Sequence, residues 1–173
     1  SCSGVPAYIQ GSTGIVSATF SDATSGPTAI GATVNVDTTS LGLNSIAIGA
    51  SDAAGNPGSQ TCTYRVLPDE SKPIITPRIE GTSLAQGWYT GPVVVSFVVD
   101  DPDSPVLSTE GCETVTVGAD AVSQVAAVCR ATSYGGTAVQ PITVSRDSVA
   151  PVITCLDLRF VQGTAGKATA NAT

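Results

Sequence analysis

The feature that most restricts the fold of this chain is an internal repeat. The segment PIITP at 73–77 recurs as PVITC at 151–155, 78 residues later, and each copy follows an acidic stretch. A second match, ASDAAG at 50–55 against ATSYGG at 131–136, has an offset of 81 residues. Similarity at a nearly fixed period indicates one supersecondary unit repeated along the chain. We therefore expect two complete modules and the beginning of a third.

The third copy is visible at the end of the sequence. The segment VQGTAG, which follows Cys155, aligns with the segment IQGSTG, which follows Cys2, with a single gap. The predicted organisation therefore has four parts, which are a first module at 1–67, a linker at 68–72, a second module at 73–147 and the first strands of a truncated third module at 148–173.

Local patterns predict strands within each module. Val, Ile and Ala carry most of the 42% hydrophobic fraction, and β-branched side chains favour pleated strands over helices. The 18 Gly and 11 Pro residues divide the chain into short segments, so we expect essentially no helix. Six or seven short strands in fewer than 80 residues are typical of a β-sandwich. The predicted strands are 5–10, 14–21, 29–37, 44–52 and 60–67 in the first module and 73–79, 92–100, 105–109, 113–118, 122–132 and 137–146 in the second.

Two antiparallel sheets packed face to face bury one side of each strand. The side chains that we expect in this buried layer are Ile46, Ile48, Tyr64, Val66, Val94, Phe97 and Val99.

The five cysteines predict disulfides rather than a metal site. The chain has no His and no CxxC motif, which argues against zinc. Pairing within each module gives Cys2 with Cys62 and Cys112 with Cys129, and such bonds require an oxidising compartment outside the cytoplasm. Cys155 corresponds to Cys2 in the repeat, so we expect its partner in the missing part of the third module or in another chain.

Charge and side-chain inventory exclude several functions. A net charge of −7 repels nucleic acid phosphates and anionic membrane surfaces, and no apolar run approaches the ~20 residues of a membrane-spanning helix. Without His, a Ser nucleophile needs Lys as its base, and the two lysines, Lys72 and Lys167, stand in the linker and in the third module. We therefore expect no catalytic residues and no enzymatic activity.

Two groups of acidic residues are candidate calcium ligands. Asp100, Asp101 and Asp103 occur where a strand ends, and carboxylates with backbone carbonyls can bind calcium, although Asp and Pro also make turns without a metal. The second group recurs at linkers and in the SDAAGN loop, where it can hold calcium between modules or simply be solvated. It consists of Asp52, Asp69, Glu70 and Asp147. No other cofactor is expected.

The aromatic pair Trp88 and Tyr89 in GWYTGP is a candidate ligand-binding site. Aromatic rings stack on the apolar faces of sugars, which is one interpretation of this pair. The alternative is that Trp88 covers the end of the sandwich core and is buried.

Two stretches resemble bacterial immunoglobulin-like repeats of large surface proteins, including the hyalin-repeat and Big-like types. They are ASDAAGNPGSQTCTYRV at 50–66 and GWYTGPVVVSFVVDDPDSPV at 87–106. The second module departs from the hyalin-repeat pattern, because Pro77 replaces the first cysteine. The resemblance implies an all-β fold class with two tandem immunoglobulin-like β-sandwich modules plus the start of a third.

The resemblance also implies a function. We expect a non-catalytic structural repeat segment of an extracellular or cell-surface protein, which acts as an adhesin stalk, as a spacer or as a subunit of an extracellular fibre. Its expected partners are neighbouring modules of the same array or identical subunits. The alternatives are a module that binds a surface glycan or a protein receptor, and an accessory domain of a secreted enzyme or phage structural protein.

Overall fold

The computed structural model describes residues 1–84, 87–155, 162–163, 166–167 and 169–172, and all of its regular elements are β-strands. The first five strands form what we call the N-terminal group, and the next seven form the central group. The N-terminal group comprises β1 (Ala7–Ile9), β2 (Gly14–Thr19), β3 (Gly31–Val36), β4 (Gly42–Ser51) and β5 (Pro57–Leu67). The central group comprises β6 (Ile74–Glu80), β7 (Trp88–Tyr89), β8 (Val93–Asp100), β9 (Ser108–Glu110), β10 (Val115–Val117), β11 (Ala121–Ser133) and β12 (Gly136–Arg146). Two short strands follow, β13 (Ile153–Cys155) and β14 (Ala170–Ala172).

The N-terminal group forms two sheets. Strands β1, β5 and β4 make one sheet in that order, with β1 parallel to β5 and β4 antiparallel to it. Strands β2 and β3 make the other sheet, and a bridge between Cys2 and Ala18 adds the start of the chain to its edge. The buried residues between the sheets are Val16, Ala18, Ile48, Cys62, Tyr64 and Val66.

The central group repeats this arrangement with more strands. One sheet has the order β10, β8, β6, and the other has the order β7, β12, β11, β9. Strand β7 runs parallel to β12, as β1 does to β5. The buried residues between these two sheets are Val93, Val95, Val117, Ala127, Ile142 and Val144. Each group thus has its own core between two sheets, an arrangement that fits a β-sandwich.

Alternation along the strands explains which residues are buried, and it corrects one prediction. In β8 the fully buried residues are Val93 and Val95, whereas Val94 is only half-buried on the opposite face. The prediction that Val94 lies in the core was therefore wrong, because a strand has a period of two and Val94 is out of phase with Phe97, which packs against the core.

The ends of the strands follow the turn residues. The β4–β5 hairpin closes at Gly55, whose φ of +90° is in the left-handed region that only glycine adopts without strain. The predicted strand at 105–109 begins later, at Ser108. Strand β7 was not predicted at all, because its two residues are too few for a period to be visible.

The two short strands at the end of the chain pair in the same way as the beginning of the N-terminal group. Cys155 is opposite Ala170 in antiparallel register, just as Cys2 is opposite Ala18. Most of the segment 156–168, where the sequence match with the N-terminal group is strongest, lies outside the described residues.

Candidate functional site

The linker between the two groups is held by one buried carboxylate. Asp69 is only 7% exposed and accepts three hydrogen bonds. Its Oδ1 accepts from the Ser71 backbone N–H at 2.9 Å, and its Oδ2 accepts from the Ser104 hydroxyl at 2.6 Å and from the Gly135 N–H at 2.9 Å. Ser104 belongs to the loop after β8, and Gly135 to the β11–β12 turn. Asp69 therefore joins the linker to two loops of the central group.

A second hydrogen bond and a packing contact lie in the same region, between the linker and the two groups. The Ser71 hydroxyl donates a hydrogen bond of 2.6 Å to Asp103 Oδ2. Gly11, in the turn after β1, lies directly on the ring of Tyr134 in the β11–β12 turn, so that a Cβ at position 11 would overlap the ring. These contacts involve both groups and the linker. We call the set formed by Gly11, Asp69, Ser71, Asp103, Ser104, Tyr134 and Gly135 the junction.

The second linker begins with the same local structure. Asp147 Oδ1 accepts a hydrogen bond of 2.9 Å from the Val149 N–H, which matches the bond between Asp69 Oδ1 and the Ser71 N–H. Asp147 is exposed, however, whereas Asp69 is buried. The two residues occupy equivalent places in the repeat, 78 residues apart. The turn that starts each linker is thus a repeated feature of the sequence.

The candidate calcium ligands after β8 have separate roles in the turn. Asp100 ends β8 and is exposed, while Asp103 accepts from Ser71. Asp101 Oδ1 accepts hydrogen bonds from the backbone N–H groups of Asp103 and Ser104, at 3.1 and 3.0 Å. Burial raises the pKa of Asp101, but hydrogen bonds from these N–H groups and from the side chains of Ser133 and Ser104 together outweigh it and hold the pKa below its usual value. This hydrogen-bonding pattern is that of a carboxylate that closes a turn.

The N-terminal group has matching turn carboxylates. Asp22 Oδ1 accepts from the N–H groups of Thr24, Ser25 and Gly26, and these bonds lower its pKa. Asp52 accepts from the side chain and the backbone N–H of Asn56, which lowers its pKa as well. Among the residues that the structure describes, no three His, Cys, Asp or Glu side chains are grouped so that they surround one metal ion.

Of the candidate linker acids, Glu70 and Asp147 are exposed and Asp52 closes its own hairpin. Only Asp69 is buried. The sequence identified Asp69 as a candidate but not the groups that bind it, since Ser104 and Gly135 lie 35 and 66 residues away along the chain. No local pattern could have indicated that Gly135 donates to the linker.

Trp88 and Tyr89 lie on opposite faces of their sheet. Tyr89 is paired with Arg146 and packs against the core of the central group. Trp88 is paired with Ser145, and residues in register point to the same face, which is the face opposite the buried Val144. Trp88 is half-buried and is not among the side chains that pack on the core. It therefore does not have the buried position that a core role requires.

Two disulfides are present, with the pairings expected from the sequence. Cys2 is bonded to Cys62, which links the sheet containing β2 to strand β5 of the other sheet. Cys112 is bonded to Cys129, which fixes the segment after β9 to strand β11 of the same sheet. Disulfides persist in oxidising compartments, so they indicate an environment outside the reducing cytosol. The side chain of Cys155 lies outside the described residues.

Comparisons of the whole chain with models of protein families, with curated proteins and with solved structures found no match. The described residues include no helix that could span a membrane.

Proposed function

We propose that this chain is a non-catalytic structural segment of an extracellular surface protein, built from tandem immunoglobulin-like β-sandwich modules that act as a stalk, a spacer or part of a fibre. The observation that supports the proposal best is the junction. A spacer must hold successive modules at a fixed orientation. A linker that is anchored by a buried carboxylate, which accepts three hydrogen bonds, resists bending. Two internal disulfides suit a protein that works in an oxidising environment.

The turn at the start of each linker supports a function that depends on repeated modules. Asp69 and Asp147 close the same turn at the same place in the repeat. Only Asp69 is buried and bonded to the loops of a module, so the shared feature is the turn itself. A turn that recurs at the start of each linker fits a stalk or a fibre made of repeated modules.

Asp69→Ala is expected to loosen the linker without unfolding either core. The substitution leaves the Ser71 N–H without its acceptor and leaves the Gly135 N–H with only the Ser133 hydroxyl at 3.2 Å. Hydrogen bonds to a charged group, such as those that are lost, stabilise by about 1.5–3 kcal/mol each. Amide hydrogen exchange at these two residues should rise by about 10- to 100-fold.

Asp147→Ala is the matched control, since it removes the equivalent turn carboxylate and should raise exchange at Val149 alone. If the amides of Ser71 and Gly135 already exchange at the rate of an unstructured peptide in the wild-type protein, the linker is flexible and the spacer proposal is wrong.

A second candidate function, recognition of a glycan or protein surface, is favoured by the position of Trp88 outside the core. Its indole is the only one in the chain, so its fluorescence reports binding directly. Titration with soluble polysaccharides should shift the emission, and Trp88→Ala should raise the dissociation constant at least about tenfold. Tyr8→Phe, which keeps an aromatic ring in the other group, should leave binding unchanged. An emission spectrum that no polysaccharide alters eliminates glycan recognition.

A further inference from the structure

Strand β4 is an open sheet edge, and the equivalent strand of the central group is not. The sheet order β1, β5, β4 leaves β4 with a neighbour on one side only. In the central group β11 has β12 on one side and β9 on the other, and the Cys112–Cys129 disulfide fixes the segment after β9 to β11. The cover that protects β11 is thus absent from β4.

The N-terminal and central groups differ in the course of the chain after it first contacts the edge of β4 or of β11. In the central group the Leu107 N–H donates to the Thr132 carbonyl at 2.8 Å, and the chain then continues along β11 as β9. In the N-terminal group the Thr28 N–H makes the corresponding bond of 3.0 Å to the Ser51 carbonyl, but the chain then leaves the edge toward β3. Only the end of β4 is therefore covered.

The uncovered backbone groups can be assigned from the alternation of a strand. Because Ser51 directs its carbonyl to the open edge, every second residue before it also directs its N–H and C=O there. These residues are Leu43, Ser45, Ala47 and Gly49, and all four are exposed. Within the described residues, no strand other than β5 pairs with β4.

This edge lacks the usual protection against pairing. Exposed edge strands commonly carry a charge, a proline or a bulge that prevents another strand from adding to them. Strand β4, GLNSIAIGAS, has ten residues with no charge and no proline, and its register with β5 is unbroken. By contrast, the edge strand β6 carries Pro77, Arg78 and Glu80.

We propose that two copies of this chain associate through antiparallel pairing of their β4 edges, which forms one continuous sheet across a two-fold axis. A two-fold centred on Ile46 places Leu43 opposite the partner's Gly49 and Ser45 opposite the partner's Ala47. The four residues of each copy that face the open edge are then paired. Ser51 lies outside this pairing, because its carbonyl already accepts a hydrogen bond from the Thr28 N–H. Two edges with the same spacing of donors and acceptors are complementary under this symmetry.

Side-chain sizes across the proposed pairing are complementary. Leu43 is 64% exposed, and in the pair its side chain covers the partner's Gly49, which has no side chain. Within the part of the chain that the structure describes, nothing requires glycine at this position, since a Cβ there would meet only the Gly58 carbonyl at an ordinary 3.5 Å. Glycine in a strand weakens the strand, and it often marks the close approach of another backbone. In the proposed dimer the side chain of the partner's Leu43 fills the space next to position 49, which explains why this residue is glycine.

Charge favours the antiparallel direction. Arg65 is adjacent to Leu43 on β5, and Asp52 follows the other end of β4. Antiparallel pairing brings the Asp52 end of one copy toward the Arg65 end of the other and separates the two Asp52 carboxylates. The overall charge of −7 opposes self-association through any surface, so an edge without charged residues, such as β4, adds no local repulsion to it.

Sedimentation equilibrium of the 173-residue chain at up to about 1 mM, in about 0.15 M salt, tests the proposal. We expect a monomer–dimer equilibrium that closes at the dimer, and Ala47→Lys should raise its dissociation constant at least about tenfold. Thr33→Lys is the control, because it adds the same charge to the exposed edge strand of the other sheet. A chain that stays monomeric, or a dimer that Thr33→Lys disrupts and Ala47→Lys does not, overturns the proposal.

Gly49→Val separates assembly from folding. Valine favours strand conformation, so the monomer should have an unchanged or higher melting temperature, while the dimer should weaken because the new side chain clashes with the partner's Leu43. Exchanging the two residues, Leu43→Gly with Gly49→Leu, should restore association. A Gly49→Val variant that dimerises as well as the wild type contradicts the proposed register.

Discussion

The double substitution Cys2→Ser, Cys62→Ala will lower the free energy of unfolding of the N-terminal group by about 4 kcal/mol or more. The bond closes a segment of 60 residues, for which chain entropy gives about 4 kcal/mol. Cys62 is 1% exposed, so its packing is lost as well. Among the described residues, no side chain that is less than 2% exposed is larger than Val, and Val16, Val66 and Cys62 are those of the N-terminal group.

The second disulfide provides the comparison. Cys112 and Cys129 are 17 residues apart, so the same model gives about 3 kcal/mol for Cys112→Ser, Cys129→Ala. Amide hydrogen exchange, resolved by residue, distinguishes loss of protection in β2–β5 from loss in β8–β12. Wild-type protection at Val16 and Tyr64 in the Cys2–Cys62 double variant would show that this bond does not stabilise the N-terminal group.

The substitution Gly135→Ala will detach the linker from the central group while both cores remain folded. A Cβ at position 135 would overlap the Ser71 carbonyl oxygen and lie 2.9 Å from Asp69 Oδ1. The backbone at Gly135 does not have positive φ, so alanine itself is not strained there. The clash is relieved when the linker and the β11–β12 turn move apart, which breaks the hydrogen bond from the Gly135 N–H to Asp69.

Proteolysis measures this detachment. A protease specific for acidic residues should cut after the exposed Glu70 at least about ten times faster in Gly135→Ala than in the wild type. Small-angle scattering should show a broader distribution of distances between the two groups. Gly58→Ala is the matched control, because its Cβ would approach nothing closer than the Ala50 carbonyl at 3.9 Å. Equal cleavage rates in the two variants would contradict the role of the junction.

Much of the architecture could be predicted from the sequence, because the signals involved are local. Alternation of apolar residues located the long strands, and the repeat related the linker of 68–72 to the segment before 151. Cysteine placement within each repeat indicated the two disulfides. Composition alone was sufficient to predict that the chain is all-β.

The rest depended on contacts between residues that are distant in sequence. The burial of Asp69 is decided by Ser104 and Gly135, and a solvated linker acid has the same local sequence as a buried one. Trp88 and Tyr89 point to opposite faces because they are adjacent in a strand, but β7 has only two residues and was not predicted, so this alternation could not be used. The open edge of β4 results from the absence of a neighbouring strand, for which a sequence carries no direct signal.

The Cys2–Cys62 disulfide has a mechanical consequence. It joins Cys2 to β5, the last strand before the linker. Tension along the array therefore passes from Cys2 through the disulfide to Cys62 and on to the linker, so the segment between the two cysteines does not lie on the path of the force. A chain pulled at both ends thus keeps β1 to β4 within a closed covalent loop, and the N-terminal group cannot be drawn out to its full length while this bond is intact.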